Sequence, residues 1–292
     1  MGAGLEHYAE LVPAAMSAGA LAIVALEWLG LTVAKKLQRH REGLVNVASA
    51  VLTFIPIFVL AKLLTLAVMM WLYTQRIFEL GLDWWVWGLA YLAFDLSNFL
   101  IHWASHRCRL LWCVHSVHHS AQEMKASVAF RGSFADLLVT PHTTLWLPLL
   151  GFHPLMIVIV EGVGMMWGVL LHLSAHSFPR WRWAGAERLV ISPALHRLHH
   201  ARNAVYLDTN YGLTFSVWDR LARTLRALDP DHPPEYGLIE QIDSASLVVS
   251  QTEAWVSLWR DLRSAARWRD KLGYLFMPPG WRPGGWGRGS VG

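Results

Sequence analysis

Long apolar stretches separated by short polar segments fill most of the chain up to residue 171. Residues 11–34 are apolar apart from Glu27, and a helix of this length crosses a hydrocarbon core of about 30 Å at about 1.5 Å per residue. Residues 44–73 form a longer apolar stretch, whose excess length predicts a tilted span, a kinked span or a first turn at the interface. Residues 84–102 begin with a tryptophan cluster typical of a membrane interface. The pattern therefore predicts three membrane-spanning helices here.

A fourth apolar stretch, residues 137–171, is interrupted by the segment 148–154, which contains two prolines and a glycine. Because the part before the interruption is short for a span, the sequence predicts a hairpin that enters the membrane and returns. Glu161 lies in the returning part, where an ionisable residue is expected to face protein or a cavity.

Basic segments indicate on which side of the membrane the polar loops lie. The run at residues 35–41 follows the first apolar stretch, and Arg107 and Arg109 follow the third. Because cytoplasmic loops are enriched in Lys and Arg, the N-terminus is expected outside, and the loop 103–136 and the region from residue 177 onward are expected in the cytoplasm.

Composition agrees with a membrane protein. Hydrophobic residues make up 54% of the chain and charged residues 16%, against roughly 45–50% and about 25% in average soluble proteins. These values exclude a disordered protein, a disulfide-rich secreted domain and a coiled coil. The net charge of +4 is too small to indicate a nucleic-acid partner. We predict an all-α fold: an integral-membrane bundle of four to five membrane helices with a cytoplasmic, histidine-rich helical cap.

Clustered histidines are the main chemical signal of the sequence. Ten of the 15 histidines lie in four short clusters with neighbours three or four residues apart. Side chains at these spacings share one face of a helix and can be offered together to a metal. The clusters are His102 and His106; His115, His118 and His119; His172 and His176; and His196, His199 and His200. Before the last cluster, Ser192 and Pro193 predict the start of a helix.

The predicted topology brings all four clusters to one level, just beyond the hydrocarbon on the cytoplasmic side. Imidazole suits Fe, Zn, Cu and Ni, and eight or more such ligands are too many for one tetrahedral zinc but fit two metals. The HExxH motif of metalloproteases and the Glu plus ExxH pattern of carboxylate di-iron bundles do not occur. A histidine-rich two-metal site beside apolar spans indicates O2 activation on a lipid C–H bond.

Two other functions use histidines in membrane proteins. A metal transporter would carry ionisable ligands near the membrane midplane, whereas these clusters lie beyond the predicted spans. A di-haem cytochrome needs histidine pairs that face each other across helices, which the HxxHH spacing does not supply. Membrane metal binding or transport through histidine-rich sites is kept as the alternative to an oxygenase.

The histidine spacing resembles the signature of the fatty acid hydroxylase/sterol desaturase superfamily of integral-membrane, non-haem di-iron enzymes. The family pattern is HxxxH, HxxHH and a distant HxxHH, which occurs here at residues 102–106, 115–119 and 196–200. The resemblance covers about residues 85–225. Around the second and third boxes it is strongest to the branch that contains alkylglycerol monooxygenases and bacterial sterol desaturase proteins. Trp103 stands where the family usually has Arg, a departure that concerns the substrate and removes no ligand.

The resemblance implies two Fe ions held by the clustered histidines, O2 as co-substrate, and electrons from an external donor such as a reductase, a ferredoxin or a cytochrome b5-like protein. It implies hydroxylation, or desaturation, of a C–H bond in a lipid from the bilayer, such as a sterol, a fatty-acyl lipid or an ether lipid. Asp95, Asn210 and Asp219 are expected to accept imidazole N–H groups. The active site is expected on the cytoplasmic side of a bacterial-type inner membrane that the chain crosses several times.

These expectations divide the chain into three regions. Residues 1–83 contain N-terminal transmembrane helices, residues 84–228 form the hydroxylase-like catalytic core with the histidine boxes, and residues 229–292 form a cytoplasmic or interfacial tail.

Overall fold

The structure, a computed structural model, describes residues 2–51, 55–177 and 185–286, which are mostly helical. The all-α prediction is therefore confirmed for these ranges. The helices are α1 (Gly2–Val33), α2 (His40–Ser49), α3 (Ile55–Thr74), α4 (Trp84–Arg107), α5 (Arg109–His119), α6 (Pro154–Leu171), α7 (Pro193–His199), α8 (Val217–Ala222), α9 (Leu247–Ser264) and α10 (Trp268–Phe276). A short antiparallel pair, β1 (Trp281–Arg282) and β2 (Gly285–Trp286), follows α10.

Helices α1 and α6 pack side by side and run in the same direction. Gly162 lies against Pro13, and Gly19 lies against Met166, so the contacts advance together along both helices. A Cβ atom at Gly162 would lie 3.3 Å from the Cα atom of Pro13, which shows how closely the two backbones approach. The C-terminal ends of α1 and α6 consequently lie at the same end of the bundle.

Two of the described helices are long and apolar enough to cross a membrane: Gly4–Val33 within α1, and Pro154–Leu171. A shorter apolar helix covers Leu63–Thr74. The third predicted span is a helix, α4, which continues beyond residue 102 and therefore carries the whole first histidine box. The number of helices that cross a membrane stays a prediction.

The second apolar stretch, residues 44–73, is helical in its first part, in α2, and in its last part, in α3, and its role as one span stays a prediction. Residues 52–54 of this stretch lie outside the described residues. One face of α2 buries polar side chains, Glu42, Asn46 and Ser49. The Glu42 carboxylate accepts hydrogen bonds from the backbone N–H groups of Gln122 and Glu123 at 2.8 and 3.1 Å. This face of α2 therefore packs on protein, whereas Leu44 and Val47 of the same helix are exposed.

The entering arm of the predicted hairpin is built of short 3-10 segments. They are Asp136–Leu138, Thr140–Thr143 and Leu147–Leu150. Prolines stand at the beginning of the last two segments, where they lack a backbone N–H and limit the helix. The returning arm is α6, in which Glu161 is buried, as expected.

The C-terminal region contains two helices that the sequence did not predict. α9 and α10 pack on α5, with Cys113, Leu258 and Tyr274 forming a small buried cluster between them. The tail is thereby attached to the helix that carries the second histidine box.

Candidate metal centre

Nine of the ten predicted ligand histidines form two groups, and within each group the ligand nitrogens lie within 4.8 Å of one another. The first group is His102, His106, His115, His119 and His199. The second group is His118, His172, His196 and His200. α4, α5 and α7 each end in a histidine box, and α6 ends immediately before His172.

Each HxxHH box divides its imidazoles between the two groups. In the second box, the two histidines four residues apart enter the first group, whereas His118 enters the second. In the third box the assignment is reversed: the two histidines four residues apart enter the second group, and His199 enters the first. Residues four apart lie nearly above one another on a helix, and the residue between them is rotated away. Each group therefore requires both boxes.

Neighbouring ring nitrogens in the second group lie about 3 Å apart. The Nε2 atom of His172 is 3.0 Å from that of His118 and 3.1 Å from that of His196, and His196 and His200 are 3.2 Å apart at the same atoms. Nitrogens bound to one metal at about 2.0–2.1 Å are separated from each other by roughly 3.0–3.4 Å. These separations match those of ligands around a single ion.

The first group shows the same spacing. Nε2 of His119 lies 3.1 Å from Nε2 of His115 and 3.2 Å from Nε2 of His199. The two groups adjoin each other, because the His119 ring stacks on the His200 ring with centroids 4.4 Å apart. The geometry provides two neighbouring sites.

Backbone carbonyls orient three of the rings. The Nδ1 contacts are His102 with Tyr211 O at 2.7 Å, His199 with Thr209 O at 2.8 Å, and His172 with Gly168 O at 2.6 Å. A carbonyl oxygen can only accept a hydrogen bond, so Nδ1 carries the proton in each pair. Nε2 of each ring then holds a lone pair directed into its group.

The lone pairs that converge in each group indicate whether metal ions fit this site. Among the residues that the structure describes, Nε2 of His102 and of His106 are buried without a hydrogen-bond partner. A buried acceptor without a donor costs roughly 1–3 kcal/mol, and lone pairs about 3 Å apart repel each other. A cation bound by these nitrogens removes both penalties, so the residues fit a pair of metal ions.

Burial keeps the imidazoles neutral. It lowers the pKa of His172 to about 4, a value reached despite the opposing effect of its hydrogen bond to Gly168. Burial also lowers the pKa of His118, His196 and His200 well below the ordinary value, and the neighbouring imidazoles lower it further. Neutral imidazole is the form that binds a metal, so these rings are ready for ligation at pH 7.

The side chains of Asp219 and Asn210 form hydrogen bonds with a loop and not with the imidazole rings. The Asp219 carboxylate accepts from the backbone N–H groups of Tyr211 and Gly212 at 2.8 and 2.7 Å. The Asn210 side chain accepts from the backbone N–H of Arg226 at 2.7 Å. Their action on the histidines is indirect, because this loop provides the carbonyl of Tyr211.

Asp95 extends the same arrangement. Its carboxylate accepts from the backbone N–H groups of Thr214 and Phe215 at 2.8 and 3.1 Å, and from the indole N–H of Trp218 at 2.9 Å. All three polar residues predicted to orient imidazoles thus fix the backbone of the segment that follows the third box.

His176 is the predicted ligand that the structure leaves outside both groups. Its side chain is exposed, whereas His172 is buried within the second group. The turn after α6 changes the direction of the chain, so the i, i+4 spacing of these two histidines is not that of one continuous helix.

Two neighbours of the first group were missed as site residues by sequence reasoning. The Asp208 carboxylate lies 3.6 Å from Nδ1 of His106, in the position where carboxylates commonly support metal-binding imidazoles. The Trp112 ring covers the group, with its centroid 5.0 Å from that of His106 and 5.5 Å from that of His119. A sequence signal for both residues existed, because Asp208 and Trp112 lie in the segment 85–225 that resembles the family.

Residues 87–224 match the family model described as fatty acid hydroxylase. The chain contains a fatty acid hydroxylase domain. The match agrees with the resemblance predicted for residues 85–225, and it includes all ten clustered histidines. The hydroxylase domain therefore begins within α4 and ends just after α8, before the two C-terminal helices.

Curated relatives extend beyond the hydroxylase domain. Alkylglycerol monooxygenase from Homo sapiens is 27% identical over 251 residues, which are 84% of this chain and 54% of the relative. Alkylglycerol monooxygenase from Danio rerio is 29% identical over 203 residues, 68% of this chain and 43% of the relative. An ornithine lipid hydroxylase from Rhizobium tropici is 27% identical over 150 residues, 50% of this chain and 42% of the relative.

Monooxygenases and hydroxylases are oxidoreductases, so the hydroxylase domain belongs to a family of such enzymes. The chain spans about half the length of the curated relatives it matches. No solved structure matches the chain significantly.

Proposed function

We propose that the protein is a membrane-bound di-iron oxygenase that hydroxylates a C–H bond of a lipid, with O2 as co-substrate and electrons from an external donor. The observation that carries this proposal is the pair of adjoining histidine groups within a fatty acid hydroxylase domain. Hydroxylation is favoured over desaturation because the relatives are named as monooxygenases and hydroxylases.

Iron is proposed because the reaction needs a metal with redox chemistry, which zinc lacks. Bound iron would supply the capacity to bind and reduce O2. The first ion would be held by His102, His106, His115, His119 and His199, and the second by His118, His172, His196 and His200. The chain keeps these rings neutral by burial and fixes their orientation through Nδ1–H donors to backbone carbonyls.

A lipid is proposed as the substrate because apolar helices lead directly to the histidine groups. α4 carries the first box at its C-terminal end, and Leu92 and Leu100 on the same helix are 40% and 48% exposed. Exposed apolar side chains along the helix that ends in the first box are compatible with lipid contact. The relatives are named for alkylglycerol and ornithine lipid, so we propose a lipid with a polar headgroup and an apolar chain.

The cytoplasmic side of a bacterial-type inner membrane is proposed for the site. α1 and α6 end on the same side of the bundle, and the basic residues 35–41 follow the end of α1. Lys and Arg are enriched in cytoplasmic segments, so this end is assigned to the cytoplasm. The electron donor would then approach the site from the cytoplasm.

The test is incubation of the purified, iron-loaded protein with a reductase system, a membrane lipid extract and 18O2. We expect a lipid product that is heavier by one labelled oxygen, and we expect His119→Ala to abolish it. His142→Ala is the matched control, because His142 is exposed and belongs to neither group. A product with a new double bond and no label would replace hydroxylation by desaturation, and the absence of O2 consumption with every lipid fraction would overturn the oxygenase.

A further inference from the structure

One face of α10 packs on the protein, and the opposite face presents large apolar side chains. Tyr274 is buried against the fold at 6% exposure. Trp268, Leu272 and Phe276 follow one another every four residues and are 66%, 44% and 58% exposed. Side chains with this spacing form one stripe along a helix, so the stripe is continuous and directed away from the fold.

Cationic residues flank this apolar stripe. Arg267, Arg269 and Lys271 are exposed, and Arg263 precedes them near the end of α9, with Asp270 as the one acidic residue of the segment 263–271. The Arg269 guanidinium lies 5.6 Å from the centroid of the Trp268 ring. Long cationic side chains that lie along an apolar surface with a charged end free are typical of the membrane interface.

The position of α10 relates this surface to the histidine sites. The backbone N–H of Arg109 donates to the carbonyl of Met277 at 3.0 Å, and the thiol of Cys108 donates to the carbonyl of Leu275 at 3.5 Å. Both contacts lie at the junction of α4 and α5. α10 is therefore attached at the end of the apolar α4, where the first histidine box is located.

We propose that α10 is an in-plane anchor on an anionic leaflet, with Trp268, Leu272 and Phe276 inserted between the lipids and the flanking cations at the phosphates. The charge pattern favours an anionic lipid surface as the binding partner, because such a surface buries the apolar stripe and pairs with the cations at the same time. The proposal rests on the membrane location given under the proposed function and is independent of the oxygenase reaction. It fixes the depth at which α5 and its histidines lie.

The experiment uses the full chain in lipid nanodiscs and reads the environment of single fluorophores. Cys108→Ser removes the half-buried thiol and keeps a donor for Leu275, while the buried Cys113 stays in place. An environment-sensitive dye is then attached at Leu272→Cys, at Leu21→Cys on α1, or at Glu240→Cys, all of which are exposed. Quenching by nitroxide lipids and by aqueous iodide is compared.

In discs that contain phosphatidylglycerol, we expect lipid quenching at positions 21 and 272 and iodide quenching at position 240. Lipid quenching at position 21 alone would overturn the anchor and leave the membrane location standing. Iodide access at both positions 21 and 272 would overturn both. Protection of position 272 from both quenchers, with a doubled particle mass, would identify a second copy as the occupant and also overturn the anchor.

The matched charge test replaces Arg267, Arg269 and Lys271 by Gln in the chain labelled at position 272. Each cation favours an anionic surface by about fivefold, so iodide access should rise in anionic discs. In zwitterionic discs the substitution should change little. Equal iodide quenching before and after substitution in anionic discs would contradict the role of these cations.

Discussion

Nδ1 of His102 donates a hydrogen bond to the backbone carbonyl of Tyr211 at 2.7 Å, across 109 positions in sequence. The contact ties the first histidine box to the loop that follows the third. The loop is held in turn by Asp219, which accepts from the backbone N–H groups of Tyr211 and Gly212. The orientation of the His102 ring thus depends on the Asp219 carboxylate, which acts through the loop backbone and not through a hydrogen bond to the ring.

Asp219→Asn is therefore expected to weaken metal binding. An amide offers one acceptor oxygen where the carboxylate offers two, so one of the two N–H contacts is lost. Loss of an outer hydrogen bond of this kind typically lowers metal affinity by about 10- to 100-fold, and we expect about tenfold. Competition with a chelator, followed by metal analysis, measures the change.

Asp231→Asn is the control, since Asp231 is exposed. Unchanged chelator resistance in both variants would show that the loop does not position His102.

The sequence could predict that the histidines converge but not how they are divided. Helical spacing places the members of each box on one face, which is a property of the chain itself. The exchange of His118 and His199 between the groups depends on how α5 and α7 face each other. The acceptors at Tyr211 and Thr209 are backbone carbonyls, which every residue possesses, so residue type carries no signal for them.

His172→Ala and His176→Ala form a pair that tests this division directly. The two histidines belong to the same HxxxH cluster, but only His172 enters a group. We expect His172→Ala to lose about one metal per chain, because three imidazoles remain in the second group, whereas His176→Ala should keep two. Metal analysis by mass spectrometry gives the stoichiometry. Equal loss of metal in the two variants would show that His176 is also a ligand.

The two cysteines are expected to react differently with a membrane-impermeant thiol reagent. Both follow the first histidine box and are expected on the cytoplasmic side, so intact cells should show no labelling. In opened membranes Cys108 should react, whereas Cys113 is 1% exposed and burial raises the pKa of its thiol to about 12. Mass spectrometry of labelled peptides assigns each site.

Denaturation should expose Cys113 to the same reagent, and Cys108→Ser should remove all labelling of the native protein. Labelling of intact cells would reverse the proposed orientation.

Glu27 is expected to stabilise the junction of α1 with the site. Its carboxylate accepts from the backbone N–H groups of Ala126 and Ser174 at 2.5 and 2.7 Å, and from the Ser177 hydroxyl at 2.9 Å. Glu27→Leu leaves two buried N–H donors without acceptors, at roughly 1–3 kcal/mol each. The free energy of unfolding in detergent should fall by about 2–6 kcal/mol. Glu10→Leu on the exposed side of α1 should change it by less than about 0.5 kcal/mol.

Glu27 also shows what hydropathy alone does not reveal. In the sequence it is the one charge within a predicted span, whereas in the structure it binds loop backbone at the site end of α1. Similarly, the apolar residues before α6 form 3-10 segments, in which Leu147 is fully buried whereas Leu138 is exposed. Apolar composition does not indicate which side chains pack on protein, so it carries no signal for the partners of Glu27 or for the burial of Leu147.

Arg131→Lys should destabilise the protein through the second histidine box. The Arg131 side chain is 1% exposed, and its guanidinium donates to five oxygens. They are Val117 O, Ser120 Oγ, Asn46 Oδ1, Ser244 O and Ser250 Oγ, at 2.6 to 3.0 Å. Lysine has three donors, so at least two oxygens lose their partner, and the fork geometry that connects α5 with α2 and α9 is lost.

We expect the free energy of unfolding of Arg131→Lys to fall by about 2–4 kcal/mol, from two lost acceptor contacts at about 1–2 kcal/mol each. Chemical unfolding in detergent measures it. Arg41→Lys is the matched control, because Arg41 is exposed on α2 and the same substitution there removes no buried contact. Since Val117 and Ser120 bracket His118 and His119, Arg131→Lys should also release metal at lower chelator concentration. Wild-type stability with wild-type metal retention would show that the buried guanidinium is dispensable to the box.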